Sequence, residues 1–382
     1  MVQAPAPNPP DARAEARPGR PLRLLVLASK PVGLAPGQRY RLEQWAPRLA
    51  ASHGIELDFA PFESPRLVEL LYQPGRRPEK AAWVLRDFAR RAADVARARR
   101  YDGAVVFREA ALIGPAIYER ALKLAGVPMF FDFDDAIWHP AQSSHNGVFS
   151  RLHFYGKTST ICRIADAVLA GNEYLAGYAR ARNPNVFVVP TSIELDRYPP
   201  QPEPPSDAPF VVAWTGSHTT LAHFEHGREA LERLARRRRI VVKVICSNPP
   251  SRPIAGAENV FVRWTDAGEA EAVGASHAGI MPLPDDAFTR GKCGLKALQF
   301  MATGRPVVVS PVGMNRDLVR TGENGFLAET VDEWVEALEA LASSRELRAR
   351  VGAAGRKTVA ERFSAEVVAR LVAGVVRRTL RA

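Results

Sequence analysis

Cysteines, long apolar runs and cofactor signatures are what this chain has least of. Its three cysteines, Cys162, Cys246 and Cys293, are too few and too scattered for a disulfide framework or a zinc site. No uncharged apolar stretch approaches the roughly 18–20 residues that a membrane span requires. The opening MVQAPAPNPPDARAEARPGR has no apolar core of the signal-peptide kind and reads as a disordered leader over residues 1–21. G-x-G-x-x-G is absent, which disfavours dinucleotide redox chemistry, and no P-loop or nucleophile elbow is present. Neither zinc-finger spacing nor a basic zipper nor an aromatic-basic sheet motif accompanies the positive charge, so nucleic acid is not an expected partner. These absences leave a soluble, cytoplasmic protein as the expectation.

What is present is a chain of 382 residues, 46% hydrophobic and 24% charged, with a net charge of +11. Its length suits two domains, and the composition excludes wholesale disorder. Arginine is spread widely, with denser runs at 97–100 and 236–239. Such a basic surface suits phosphates or anionic headgroups, although a GC-rich genome would enrich arginine in the same way.

Short β-branched runs alternate with helical stretches. The first half offers strands at 22–28, 55–61, 103–108, 128–132, 167–170 and 186–189, most of them continuously apolar as in parallel sheets. Helices are expected near 39–52, 79–99, 114–125 and 173–182. Six prolines then crowd into Pro199–Pro209, a linker composition. Beyond it the alternation restarts with strands at 210–214, 240–246, 260–262, 278–281, 306–310 and 326–328, and ends in helix-forming sequence from about 331 to 381. The fold class is therefore α/β: two Rossmann-like, doubly wound parallel-sheet domains, 22–198 and 210–360, joined by a 199–209 linker and followed by a terminal helical segment, 361–382. Ligands of such sheets bind at the carboxyl ends of the strands, here in the cleft between domains.

Several segments carry polar groups to those ends. In GIMPLPDDAFTRGKCGLKALQFMATGRPVVVSP, Arg290, Gly291 and Lys292 lead into a helix, with Lys296 one turn further on the same face. Unpaired N–H groups and flanking cations suit an anion such as a diphosphate. In VVAWTGSHTTLAHF, a buried strand runs into Gly216 and Ser217, with Thr219 or Thr220 placed to cap a helix or bind phosphate. In PMFFDFDDAIWH, a strand delivers Asp132, Asp134 and Asp135, then Trp138 and His139. These carboxylates suit a base or a sugar-hydroxyl acceptor; with no complementary acidic cluster, no metal is expected. The first strand leads to Gly37, Arg39 and Arg41, another ends at Arg108 and Glu109, and AGNEYLAGYA places Asn172 before a helix.

Taken together, GNEYLA, VFVVPTSIELDRY, AWTGS, KCGLKALQFMATGRPVVVSPVGMNRDLV, ENGFLA and ERFSAEVVARL resemble the family 4 glycosyltransferases over about residues 22–381. FDFDDAIW with RGKCGLKALQFMA looks like a bacterial subgroup of that family. The resemblance implies a GT-B fold and a last helix that crosses back to the N-terminal domain. It implies sugar transfer from a nucleotide-sugar co-substrate to an acceptor hydroxyl, with retention of configuration and no metal or other cofactor. On that resemblance Gly216, Ser217, Thr219, Lys296, Gln299, Arg290 and Lys292 face the donor. Asp134, Asp135 and His139 serve the acceptor, with Gly37, Arg39, Arg41, Glu109, Asp132 and Asn172 in the cleft. The partners implied are the donor and an acceptor glycan, lipid or small molecule, with peripheral contact to an anionic membrane open. Two departures stand out: the family's paired glutamates are replaced by Gly291 and Gln299, and its Arg–Lys pair after the Gly216 turn is missing. Arg290, Lys292 and Lys296 are expected to supply that charge. A non-catalytic nucleotide-sugar-binding scaffold and a GT-B relative with another reaction are the alternatives.

Overall fold

Runs such as LRLLVLA bury both faces only at the centre of a parallel sheet covered by helices on each side. The computed structural model describes residues 20–71, 73, 75–139, 154–205 and 208–381, and the expected leader lies almost wholly outside them. In the first half, β1 (Leu22–Ala28), β2 (Ile55–Pro61), β3 (Gly103–Phe107), β4 (Met129–Phe133), β5 (Ala167–Ala170) and β6 (Val186–Val188) form one sheet, ordered β2-β1-β3-β4-β5-β6. In the second, β7 (Phe210–Thr215), β8 (Ile240–Cys246), β9 (Glu258–Arg263), β10 (Ala278–Met281), β11 (Val307–Val309) and β12 (Phe326–Leu327) form another, ordered β12-β11-β10-β7-β8-β9. Every strand pairing is parallel.

The last helix, Ala365–Arg381, joins the N-terminal core. Its Val368, Ala369, Val372 and Val376 are buried in one cluster with Leu24, Val26, Trp45, Leu49 and Phe130. Ile193 anchors the return: its N–H donates to the Phe363 carbonyl at 2.8 Å, and its carbonyl accepts from Ala365 at 3.0 Å. The helical end of the chain is divided into Val331–Ser343, Arg345–Arg362 and Ala365–Arg381. Thr330 and Ser344 cap the first two, Thr330 in a reciprocal box with Glu333.

Two local expectations need correction. The helix expected from Arg39 begins at Pro36–Gln38 and passes through a π-helical segment, Arg39–Glu43, before Gln44–His53. Pro47 in that last stretch has no N–H to offer the Glu43 carbonyl, which favours the altered winding. As a result four consecutive residues, Arg39 to Leu42, are buried. The helix Arg77–Arg97 packs Val95 and Phe88 into the N-terminal core, buries Asp87, Arg91 and Asp94 beside them, where each charge finds a fixed partner, and leaves Leu85 70% exposed. Asp87 accepts from the Ser64 N–H and hydroxyl at 2.8 and 2.9 Å, and Arg91 donates to the Ala28 carbonyl at 2.9 Å. Finally, the helices Pro65–Leu71 and Lys157–Ile164 are additional to those read from periodicity.

Candidate functional site

The carboxyl edges of the two sheets face one another, and their loops interlock. At the end of β3, Arg108 adopts a left-handed backbone with φ of 60°, a conformation of some strain for a residue with a Cβ. Its guanidinium lies between the two aspartates that follow β4: Nε donates to Asp134 Oδ1 at 2.7 Å and Nη2 to Asp135 Oδ2 at 2.8 Å. From the opposite domain, Lys292 Nζ donates to the other Asp135 oxygen at 2.8 Å. Burial pushes the Asp134 carboxyl up, but Arg108, backed by Arg41 and Lys292, outweighs it and holds Asp134 below the usual carboxylate range. Gly37 makes this packing possible, since a Cβ there would stand 2.5 Å from Asp134 Oδ2 and 2.7 Å from Arg108 Nη2.

The loop Thr289–Lys292 docks directly onto this strand end. A Cβ on Gly291 would lie 2.7 Å from the Ala136 backbone nitrogen, so position 291 accepts no side chain in this arrangement. Asn172 stitches the same seam. Its Oδ1 caps the helix Glu173–Arg180 at Leu175 N, 2.9 Å, while its Nδ2 donates to the Arg290 and Lys292 carbonyls at 3.2 and 3.1 Å. Arg290 itself is half exposed and pairs with Asp285 at 2.6 Å. His139 is partly buried, its ring 5.4 Å from that of Trp138, which in turn stacks on Tyr178 at 3.7 Å.

On the C-terminal side, Lys296 reaches from the helix Leu295–Ala302 to the turn after β7. Its Nζ donates to Thr220 Oγ1 at 3.3 Å and sits 4.2 Å from the centre of the Trp214 ring. Ser217 belongs to the same turn, with its hydroxyl 2.8 Å from Thr219 Oγ1. A Cβ on Gly216 would collide with the Trp214 ring at 2.5 Å. Burial, reinforced by Lys292, lowers the Lys296 ammonium to about 7. His223 shares this pocket of positive potential; burial and then Lys296 and Lys292 bring it down to about 4.

Other expected residues lie elsewhere. Arg41 and Asp132 form a bidentate pair at 2.7 and 2.6 Å with both side chains wholly buried, where they brace the end of β4. Glu109 pairs with Lys157. Gln299 is in a separate interdomain cluster: its amide donates to the hydroxyls of Tyr40 and Tyr198 at 2.9 and 3.0 Å. Both phenols donate to Glu269 Oε2 at 2.7 Å, and Trp264 donates to Oε1 at 2.6 Å. Arg39 completes that cluster with Glu269 at 3.4 Å and with Asp266. Sequence reading picked out Arg108 with Glu109 at a strand end but gave it no role, and it did not mark His223, Tyr40, Tyr198 or Glu269, which carry no local signal.

Comparison with known proteins agrees with this architecture. Residues 209–344 match the family model described as glycosyl transferases group 1. An 87-residue stretch is 40% identical to D-inositol 3-phosphate glycosyltransferase of a Nocardioides species, covering 22% of this chain and 19% of that protein. Among solved structures, sucrose-phosphate synthase from Thermosynechococcus elongatus superposes with a TM-score of 0.68 at 17% identity, over 95% of this chain and all of that one. HepE from Anabaena, in complex with UDP and glucose, gives 0.62 at 14% identity over 94% of this chain and all of its own. A glycosyltransferase from Rickettsia africae gives 0.65 at 14% identity over 95% of this chain and all of its own. At such identities the likeness establishes the fold, which is GT-B.

Proposed function

We propose that this chain is a retaining glycosyltransferase of the family 4 type, moving a sugar from a nucleoside diphosphate sugar to an acceptor hydroxyl without a metal ion. The observation that carries the reading is the meeting of Lys292 with Asp135 across the cleft, next to Lys296 at the Gly216 turn. Cations from one sheet and carboxylates from the other then share a single site. The group 1 match over the C-terminal sheet and the UDP complex of HepE support a nucleotide-sugar donor.

In this reading Lys292 and Lys296, with Arg290 at the rim, neutralise the leaving diphosphate, while Gly216, Ser217 and Thr219 border it. A lysine drawn to phosphate releases Asp135, which becomes free to take a hydrogen bond from the acceptor hydroxyl. Asp134, kept ionised by Arg108, stabilises positive charge developing at the anomeric carbon, and His139 stands behind the pair. Ala136 occupies the space a side chain at 291 would fill, so the neighbouring Asp135 supplies the acid that Gly291 lacks. The setting is bacterial glycan, glycolipid or glycosylated-metabolite synthesis in the cytoplasm, with peripheral contact at an anionic membrane. Among the described residues no helix is long and apolar enough to cross one. Leu85, 70% exposed beside Arg86, suits such a peripheral contact.

The test is a thermal-shift panel of UDP, GDP, ADP, CDP and dTDP, followed by the matching nucleotide-sugars. A ligand at a hundred times its dissociation constant stabilises by about 2.7 kcal/mol, so one diphosphate should stand clear of the others. Lys292→Ala should weaken that ligand about tenfold or more; wild-type affinity and turnover in this variant would overturn the assignment. A second reading, a non-catalytic nucleotide-sugar-binding scaffold, is favoured by Gly291 and Gln299 at the glutamate positions. It predicts the same binding with no turnover of any nucleotide-sugar.

A further inference from the structure

The arginine run at 236–239 has no part in the cleft. It closes the helix Arg228–Arg237 and leads into β8, which places it at the amino edge of the C-terminal sheet. The cleft lies at the carboxyl edge. The six residues of β7, at about 3.3 Å each, put roughly 20 Å between this amino edge and the Gly216 turn. A cavity of about 250 Å³ opens there, lined by Arg238, Arg239, Arg348, His277, Phe210 and Pro209.

Its charges are unbalanced. Glu339 serves both Arg237, at 3.3 Å, and Arg238, at 3.6 Å. Glu203 serves both Arg345, at 3.1 Å, and Arg348. Arg239 is exposed and has no acidic partner among the described residues. Hydrogen bonding is incomplete as well. Arg238 Nη2 donates to the Ser343 hydroxyl at 3.2 Å, while its Nε is buried with no acceptor in reach. Arg348 is 6% exposed and held in place, its Nη1 donating to the Leu341 carbonyl at 2.7 Å. His277 registers the resulting potential. Its Nδ1 accepts the Val211 N–H at 2.9 Å, and burial followed by Arg348 holds the imidazole below its usual range, with Glu203 offsetting only part of the effect.

Guanidinium forks match phosphate oxygens, and several around one cavity suit a ligand with more than one negative charge. The cavity also touches the linker, since Pro209 lines it and Glu203 is the partner of Arg348. We propose that this cavity is a second anion site, separate from the cleft, that takes a small molecule bearing a phosphate or diphosphate. Its oxygens bind Arg238, Arg239 and Arg348. The ligand competes with Glu203 for Arg348, so occupancy weakens one tie between the linker and the C-terminal domain.

The experiment is calorimetric titration of the full chain with inorganic pyrophosphate, in a Lys292→Ala/Lys296→Met background that removes the cleft's contribution. One pyrophosphate should bind per chain. Adding Arg238→Ala/Arg239→Ala should weaken it at least tenfold. Arg239→Ala alone, which trims an exposed side chain and leaves the fold intact, should already weaken it by about threefold or more. Arg100→Ala/Arg236→Ala takes the same charge from exposed arginines outside the cavity and should change affinity by less than about twofold. Glu203→Gln should tighten binding, because it removes the competing carboxylate. No binding in the background, an equal loss in the Arg100/Arg236 pair, or no gain from Glu203→Gln overturns the proposal. None of these outcomes depends on whether the cleft transfers sugar, so failure here leaves the reading of the cleft untouched.

Discussion

Lys296 sits where its own charge is costly. An unfolded lysine keeps its proton to about 10.4, whereas burial and Lys292 lower this one to about 7 in the fold. Between those values the unfolded chain binds the extra proton, so stability rises with pH across that window; below about 7 the charged ammonium fully opposes folding. A bound diphosphate reverses the balance by favouring the ammonium. Affinity for the diphosphate should therefore fall as pH rises above about 7, by up to about tenfold per unit. Calorimetry at pH 6.5 and 8.5 would read this directly. Lys296→Met should bind weakly with most of that dependence gone, yet melt higher than wild type without ligand at neutral pH. Gly37→Ala belongs to the same scale. The atoms nearest its Cβ are the side-chain ends of Asp134 and Arg108, so the pair should shift while the fold holds. Turnover should drop severalfold with little change in melting temperature or diphosphate affinity.

At the level of elements, strand ends and helix starts do the positioning. β4 presents Asp134 and Asp135 because the preceding Asp132 is locked beneath them by Arg41. Asp132→Asn would leave Arg41 buried without its counter-charge, a change that costs about 3–5 kcal/mol. A denaturant titration should show that loss as an earlier unfolding midpoint. The helix Ala365–Arg381 is equally committed. Val372 is 4% exposed in the N-terminal core, and Val372→Asp should destabilise by about 3 kcal/mol or more through an unpaired buried charge. Native-state hydrogen exchange would then find the N-terminal sheet, rather than the C-terminal one, deprotected.

For the whole molecule, the two sheets are held face to face by a polar cluster of Tyr40, Tyr198, Glu269 and Gln299. The two phenols stand 2.5 Å apart and direct hydrogen to Glu269, which leaves their oxygens as acceptors for the Gln299 amide. A carboxylate at 299 would offer no hydrogen and would face Glu269 as a like charge. Gln299→Glu should therefore open the cleft, visible as a larger radius of gyration in X-ray scattering. A restored wild-type radius at pH 4–5, where the new carboxyl takes a proton, would tie the effect to its charge.

The sequence by itself determined the two parallel sheets, their order along the chain and the loops that bear chemistry. Continuous β-branched runs separated by helical stretches leave few other ways to cover both faces. It also placed Asp134, Asp135, Lys292 and Lys296 at strand ends or helix starts, because those positions follow from local pattern. Only the tertiary structure decided which of them meet. Arg108 lies 26 residues from Asp134, and Lys292 lies 157 from Asp135. No periodicity encodes such pairings; they depend on how the sheets twist and how the domains close. The same holds for Arg41 and Gln299, which read as ligand-facing residues in the chain. Packing turned one into a brace beneath β4 and the other into a link between domains, because a buried polar group must take the partners its surroundings supply.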